Sequence, residues 1–162
     1  MEGLNVKATM LISLTFLVGM MLVILPLPQW LVWYRPAWVF MILLFWIITV
    51  PHQVGIVVAF TVGLLLDLLT GTILGQHAFV LTLLAYFFVR FQAQIRSLPA
   101  WQQLIVVFVS TLSYLAIQYW IMAISGFSLS TGKYWLPIIT TPLLWPWIRS
   151  LLDDYQRRFE LS

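Results

Sequence analysis

Asp67 is the residue whose chemistry has to be explained first. It is the only acidic side chain between Glu2 and Asp153, and it stands inside the apolar run GIVVAFTVGLLLDLLTGTILG, Gly55 to Gly75. A charge at the centre of a bilayer costs roughly 3 kcal/mol or more, so such a group faces protein and has a use. Two readings are open. Asp67 contacts a partner, an ion or a bound solute, or it reaches the interface and bonds Thr70 or Thr72 nearby. A lone carboxylate supplies no acid–base dyad within one chain. His52 and His77 fall in turns expected on opposite sides of the bilayer, so they are not expected to share a metal. The chain has no cysteine, which removes disulfides and thiolate-ligated metals. Gly126-Phe127-Ser128 sits in a loop and lacks the strand–turn–helix setting of a nucleophile elbow. There is no phosphate loop and no HExxH. The expectation is a protein without catalytic residues, cofactor or metal.

The same run carries a second pattern. Gly55, Ala59, Gly63, Asp67, Gly71 and Gly75 recur every four residues, with bulky apolar residues filling most of the rest. Positions four apart share nearly one face of a helix. The spacing therefore predicts a small-residue groove, ending near a carboxylate, on a helix of about 54–69. Small residues let helix backbones approach closely in lipid. That face either packs within its own bundle or docks a helix of another protein.

Composition identifies the solvent. Hydrophobic residues make up 62% of the chain and charged residues 8%, against roughly 25% charged in a typical soluble domain. A soluble protein of this size cannot hide so much apolar surface. The class is a polytopic, all-α membrane protein forming one membrane domain over 1–162. The formal net charge of +3 reads as a topology signal and not as a nucleic-acid signal.

Six spans are expected along the chain, at about 8–25, 37–50, 54–69, 77–91, 104–124 and 134–152, followed by a charged tail, 153–162. The first has Lys7 ahead of it but no small-x-small cleavage site after it, so it reads as an uncleaved span. PLPQWLVWYRP, Pro26 to Pro36, brings Trp30, Trp33 and Tyr34 to the headgroup level, where amphipathic rings satisfy both phases. Pro36 suits a helix start. The second span is short and has to borrow interfacial residues or thin the bilayer. RFQAQIRSLPAWQQ reads as a polar break between the fourth and fifth spans, and SGFSLSTGK as a Ser/Gly loop. Pro137, Pro142 and Pro146 are expected to break the sixth span. A five-span arrangement or a re-entrant third segment is the alternative.

Six spans put both termini on one side. With the ends inside, that side holds Lys7, Arg90, Arg96, Arg149, Arg157 and Arg158, and the outside holds Arg35 and Lys133. This bias predicts cytoplasmic termini. In the tail, Ile148, Leu151, Leu152, Tyr155 and Phe159 share one helical face. Asp153 precedes Arg157 by four and Asp154 precedes Arg158 by four, a favourable order for helical ion pairs. The tail lies along the membrane, meets a partner, or is a solvated helix end.

Several of these stretches carry a resemblance. RPAWVFMILLFWIITVPHQVGI, GLLLDLLTGTILGQHAF, PAWQQLIVV and LLWPWI resemble the bacterial rod shape-determining MreD family over most of the chain. Asp67, Gly71 and Gly75 form the most specific piece, with Arg35-Pro36 and Trp145-Pro146-Trp147 next. The resemblance implies a non-enzymatic inner-membrane component of the cell-elongation machinery, needed for rod shape and lateral peptidoglycan synthesis. It implies work with MreC, with the filament MreB, and with the glycosyltransferase RodA and its class B transpeptidase. It also implies a bundle like the substrate-binding subunits of vitamin-uptake transporters. Arg35, Pro36, Asp67, Gly71 and Gly75 carry over as motif positions, and no catalytic residue is implied.

Two functions stand at this point. One is a membrane scaffold that binds the transmembrane anchor of MreC through the Gly55/Ala59/Gly63 face and Asp67. The other is a small-molecule-binding subunit of an uptake transporter, which needs polar groups converging on a pocket; the spans offer few beyond Asp67, Thr61, Thr82, Ser110, Ser113 and Gln118. The chain shows no evident inverted repeat of the kind that builds a self-contained transporter. Beyond these partners only the lipid bilayer is expected, and self-association as a homo-oligomer is open.

Overall fold

A computed structural model describes residues 6–128 and 132–159 of the chain. The polar lead-in at 1–5, the centre of the Ser/Gly loop at 129–131 and the end of the charged tail at 160–162 lie outside the described residues. The described chain is all-helical: α1 (Val6–Ile24), α2 (Gln29–Val32), α3 (Trp38–Thr49), α4 (Ile56–Thr70), α5 (Gln76–Ser97), α6 (Ala100–Ile124) and α7 (Pro137–Phe159), with a 3₁₀ turn at Lys133–Trp135 before α7.

The shortest of the six main helices lies at the centre. Every residue of α3 from Val39 to Ile47 is buried, and a helix that is apolar all round belongs inside a bundle. Helices α1, α5 and α7 pack around it. Its 12 residues extend about 18 Å, well short of the roughly 30 Å hydrocarbon core. Helices α1, α5 and α6 are long and apolar enough to cross a membrane, while α3 and α4 are shorter apolar helices.

Close approach explains two glycines. A Cβ on Gly19 would stand 2.6 Å from Ile42 Cδ1, so α1 lies tightly on α3. A Cβ on Gly63 would stand 2.4 Å from the Cα and 2.6 Å from the N of Ala78, so α4 and α5 touch backbone to backbone. One buried polar contact ties the core together: the Trp46 indole N–H donates to Thr15 Oγ1 at 2.9 Å.

Contacts at the two ends show that α3 and α7 run antiparallel to α1. At one end the start of α3 meets α7, where the Ala37 amide donates to Thr141 Oγ1 at 3.1 Å. At the other, Tyr155 on α7 donates to the Leu11 carbonyl of α1 at 3.2 Å.

Three sequence expectations are corrected here. Helix α5 runs on to Ser97 through Arg90 and Arg96, where a polar break was expected. Arg, Gln and Ala are good helix formers, and the stop comes only at Leu98-Pro99, because the residue before a proline is pushed out of the helical region. The prolines do not break α7. Pro137 is its first residue, where no amide donor is needed, and the helix continues through Pro142 and Pro146. In the tail, the ion pair seen among the described residues is Arg149–Asp153 at 3.8 Å, and not the expected pairings of Asp153 with Arg157 and of Asp154 with Arg158.

Candidate functional site

The site is built on the hairpin of α4 and α5. Helix α4 ends at Thr70 and α5 begins at Gln76, with five residues between them. So tight a reversal needs left-handed backbone, which glycine adopts without a Cβ penalty. Gly71 has φ of 65° and Gly75 has φ of 95°. The four-residue spacing read from the sequence is therefore two features in succession. Ala59, Gly63 and Asp67 lie on one helical face and are buried, whereas Gly71 and Gly75 serve the turn.

Asp67 is 1% exposed and fills its acceptor positions from that turn. Its Oδ2 accepts from the Gly75 amide at 2.8 Å and from the Ala78 amide at 3.4 Å. Its Oδ1 accepts from the His77 amide at 2.8 Å, from the Thr72 hydroxyl at 3.0 Å and from His77 Nδ1 at 2.7 Å. A carboxylate only accepts, so Nδ1 carries the proton in this pair. The first amides of a helix have no intrahelical partner. Gly75, at the N-cap of α5, has no side chain to offer them. Asp67 supplies the missing cap from the neighbouring helix, and a negative charge at a helix N-terminus is also favoured by the macrodipole. Among the two readings opened by the sequence, the geometry contains the bond to Thr72, with Thr70 linked through Thr72 at 3.1 Å.

The small-residue face is likewise occupied within the chain. Gly63 lies on Ala78 and His77, so the expected docking of a partner helix on the Gly63 face is corrected: α5 already covers it. Gly55 stands at the N-cap of α4 with open space around it.

Arg35 and Pro36 stand at the same end of the bundle. The Arg35 guanidinium lies across the last turn of α1, with Nη1 donating to the Val23 carbonyl and Nη2 to the Leu25 carbonyl at 2.6 Å. A cation suits the carbonyl end of a helix. Pro36 is buried ahead of α3. Arg35, Thr70, His77 and Tyr114 share the walls of a cavity of about 150 Å³. The ring of Tyr114 stacks on Phe40 at 5.3 Å and lies 6.3 Å from the His77 imidazole. His77 is thus part of the site, which the sequence reading placed in an interfacial turn. Its signal was position: it follows Asp67 by ten residues across a glycine-bounded turn. His52 lies at the opposite end of α4, and no group of three metal-ligating side chains occurs among the described residues.

A second polar cluster was not foreseen. Gln103, 3% exposed, donates to the Ile95 and Leu98 carbonyls at 3.2 Å each and accepts from Arg149 Nη1. It ties the α5–α6 turn to α7.

A family model, for the rod shape-determining protein MreD, matches residues 5–155. The chain is similar to the rod shape-determining protein MreD of Haemophilus influenzae, 32% identical over 152 residues, which covers 90% of each protein. No solved structure gives a significant match.

Proposed function

The chain belongs to the MreD family of rod shape-determining membrane proteins, and we propose that it serves there as a non-catalytic scaffold that receives the membrane helix of MreC. In this reading the protein sits in the bacterial cytoplasmic membrane with both termini cytoplasmic. It links MreC to lateral peptidoglycan synthesis by RodA and its transpeptidase along MreB. The bond from Tyr155 to the Leu11 carbonyl, which joins the beginning of the first helix to the end of the last, supports placing both termini on one side. Asp67 supports a structural rather than a catalytic role, because its oxygens are committed to the turn and to His77.

The observation that carries the proposal is a groove between α1 and α4. It has a volume of about 380 Å³ and runs from Thr9 to Met20 on one wall and from Gln53 to Leu65 on the other. That is about three helical turns, enough to seat part of a helix. Leu17, Val57 and Leu65 are exposed along it. The Ser13 and Thr61 hydroxyls satisfy themselves on their own helix, at the Thr9 and Val57 carbonyls. Association in lipid rests on shape and packing, since lipid tails already satisfy apolar side chains. A recess of this kind between two helices offers that shape.

The test fills the recess. Thr61→Trp projects into the groove from an exposed position, so the protein should insert at normal levels. Co-purification with MreC should be lost and rods should round up. Normal co-purification with normal rods would remove this groove from the interface.

A further inference from the structure

We propose that the cleft around Arg35 holds an anionic phospholipid, with its phosphate on the guanidinium and an acyl chain along a leucine-lined groove. Two cavities meet at Arg35, Pro36 and Trp38. The one of about 150 Å³ carries Thr70, His77 and Tyr114 among mostly apolar walls. The other, about 370 Å³, is almost wholly apolar and is bounded by Leu22, Leu27, Leu31, Leu143 and Leu144. A guanidinium and a few polar side chains beside an apolar groove have the division of a lipid molecule.

Charge identifies the head. Arg35 is half-buried and has no carboxylate partner among the described residues. A guanidinium has five N–H donors; two go to the carbonyls of Val23 and Leu25, and three remain. Its Nε is removed from solvent and has no hydrogen-bond partner among the described residues. The same holds for Thr140 Oγ1 on the groove wall. Buried polar groups of this kind are normally paired. A phosphate accepts from both donor types, and guanidinium matches its geometry well.

Depth identifies the source. Trp30, Trp33 and Tyr34 stand exposed beside the groove, and Trp and Tyr mark the headgroup level of a bilayer. Phosphates of the surrounding leaflet lie at that depth, and their acyl chains run inward along the Leu143 side of α7, which is 71% exposed. This surface is separate from the α1–α4 groove, so the two proposals stand or fall apart.

The experiment uses the full chain, purified in detergent and titrated with phosphatidylglycerol or phosphatidylcholine of the same acyl composition. Native mass spectrometry counts the bound lipid. Wild type should hold one phosphatidylglycerol about fivefold more tightly than phosphatidylcholine, the effect of one favourable charge near an anionic head. Arg35→Gln should bring the two lipids to equal affinity, and Leu31→Trp, which fills the apolar groove, should remove the bound lipid. Trp120→Leu, on an exposed part of α6, should leave both unchanged. If Arg35→Gln does not fold, Leu31→Trp and Thr140→Val carry the test, the latter with weaker phosphatidylglycerol binding. Equal affinity for the two lipids in wild type, or binding by Leu31→Trp as strong as wild type, would overturn the proposal.

Discussion

The Asp67 carboxylate, one turn from the end of α4, accepts the His77 amide at 2.8 Å and the His77 ring at 2.7 Å. One side chain thus fixes both the backbone and the imidazole of the first turn of α5. The turn between them depends on that bond pair, because its own N-cap is a glycine.

Replacing Asp67 should therefore destabilise the protein before it affects any partner. Asp67→Leu leaves the Gly75 and His77 amides without acceptors in a buried place, and the His77 ring with only the Thr72 hydroxyl at 3.2 Å. Each unsatisfied buried donor costs about 1–3 kcal/mol, so a loss of about 3 kcal/mol or more is expected. Asp67→Asn keeps one acceptor oxygen and should cost about half as much. Thermal unfolding in detergent, followed by circular dichroism, orders wild type above Asn above Leu. Equal melting of Asn and Leu variants would show that the cap is not the source of the effect.

Gly63→Ala tests the contact of α4 with α5. Its Cβ would lie within 2.6 Å of Ala78 backbone atoms, which cannot rotate away as a side chain can. Overpacking of this kind costs about 1–3 kcal/mol, and Gly63→Leu should cost more. Reduced membrane levels of both variants, in the order Gly, Ala, Leu, are expected on immunoblots. A full-level Gly63→Leu protein would contradict the packing.

The small-residue pattern shows where sequence reasoning reaches its end. That Ala59, Gly63 and Asp67 share a face follows from helical spacing, and the structure puts all three inside. The same spacing carried on through Gly71 and Gly75, yet those two serve a turn with positive φ. Spacing alone does not distinguish a glycine that clears a path for a helix from one that lets the chain reverse. Apolar composition made the membrane class plain, and the shortness of α3 was visible, but not that its neighbours enclose it. Gln103 and Arg149 were invisible for a different reason: they are 46 residues apart, and only the packing of α6 on α7 joins them. Arg35 stood out as a motif position, but its hold on the α1 carbonyls is a tertiary contact with no local signal.

Topology is open to direct measurement. Reporter fusions placed after Lys133 and at the C-terminus should report outside and inside respectively, following the distribution of basic residues. The antiparallel run of α7 against α1 fits this arrangement. Reporters on the same side of the membrane would exclude it.

The central claim, that the α1–α4 groove receives the membrane helix of MreC, is tested most directly by cross-linking in living cells. The chain contains no cysteine, so single cysteines report without background. Thr61→Cys in the groove and Ile124→Cys on an exposed part of α6 would each be paired with a scan of single cysteines along the MreC membrane helix. The account predicts disulfide formation between Thr61→Cys and one face of that helix, recurring every three to four positions, and none with Ile124→Cys. Cross-links from Ile124→Cys alone, or none from Thr61→Cys at any position, would contradict it.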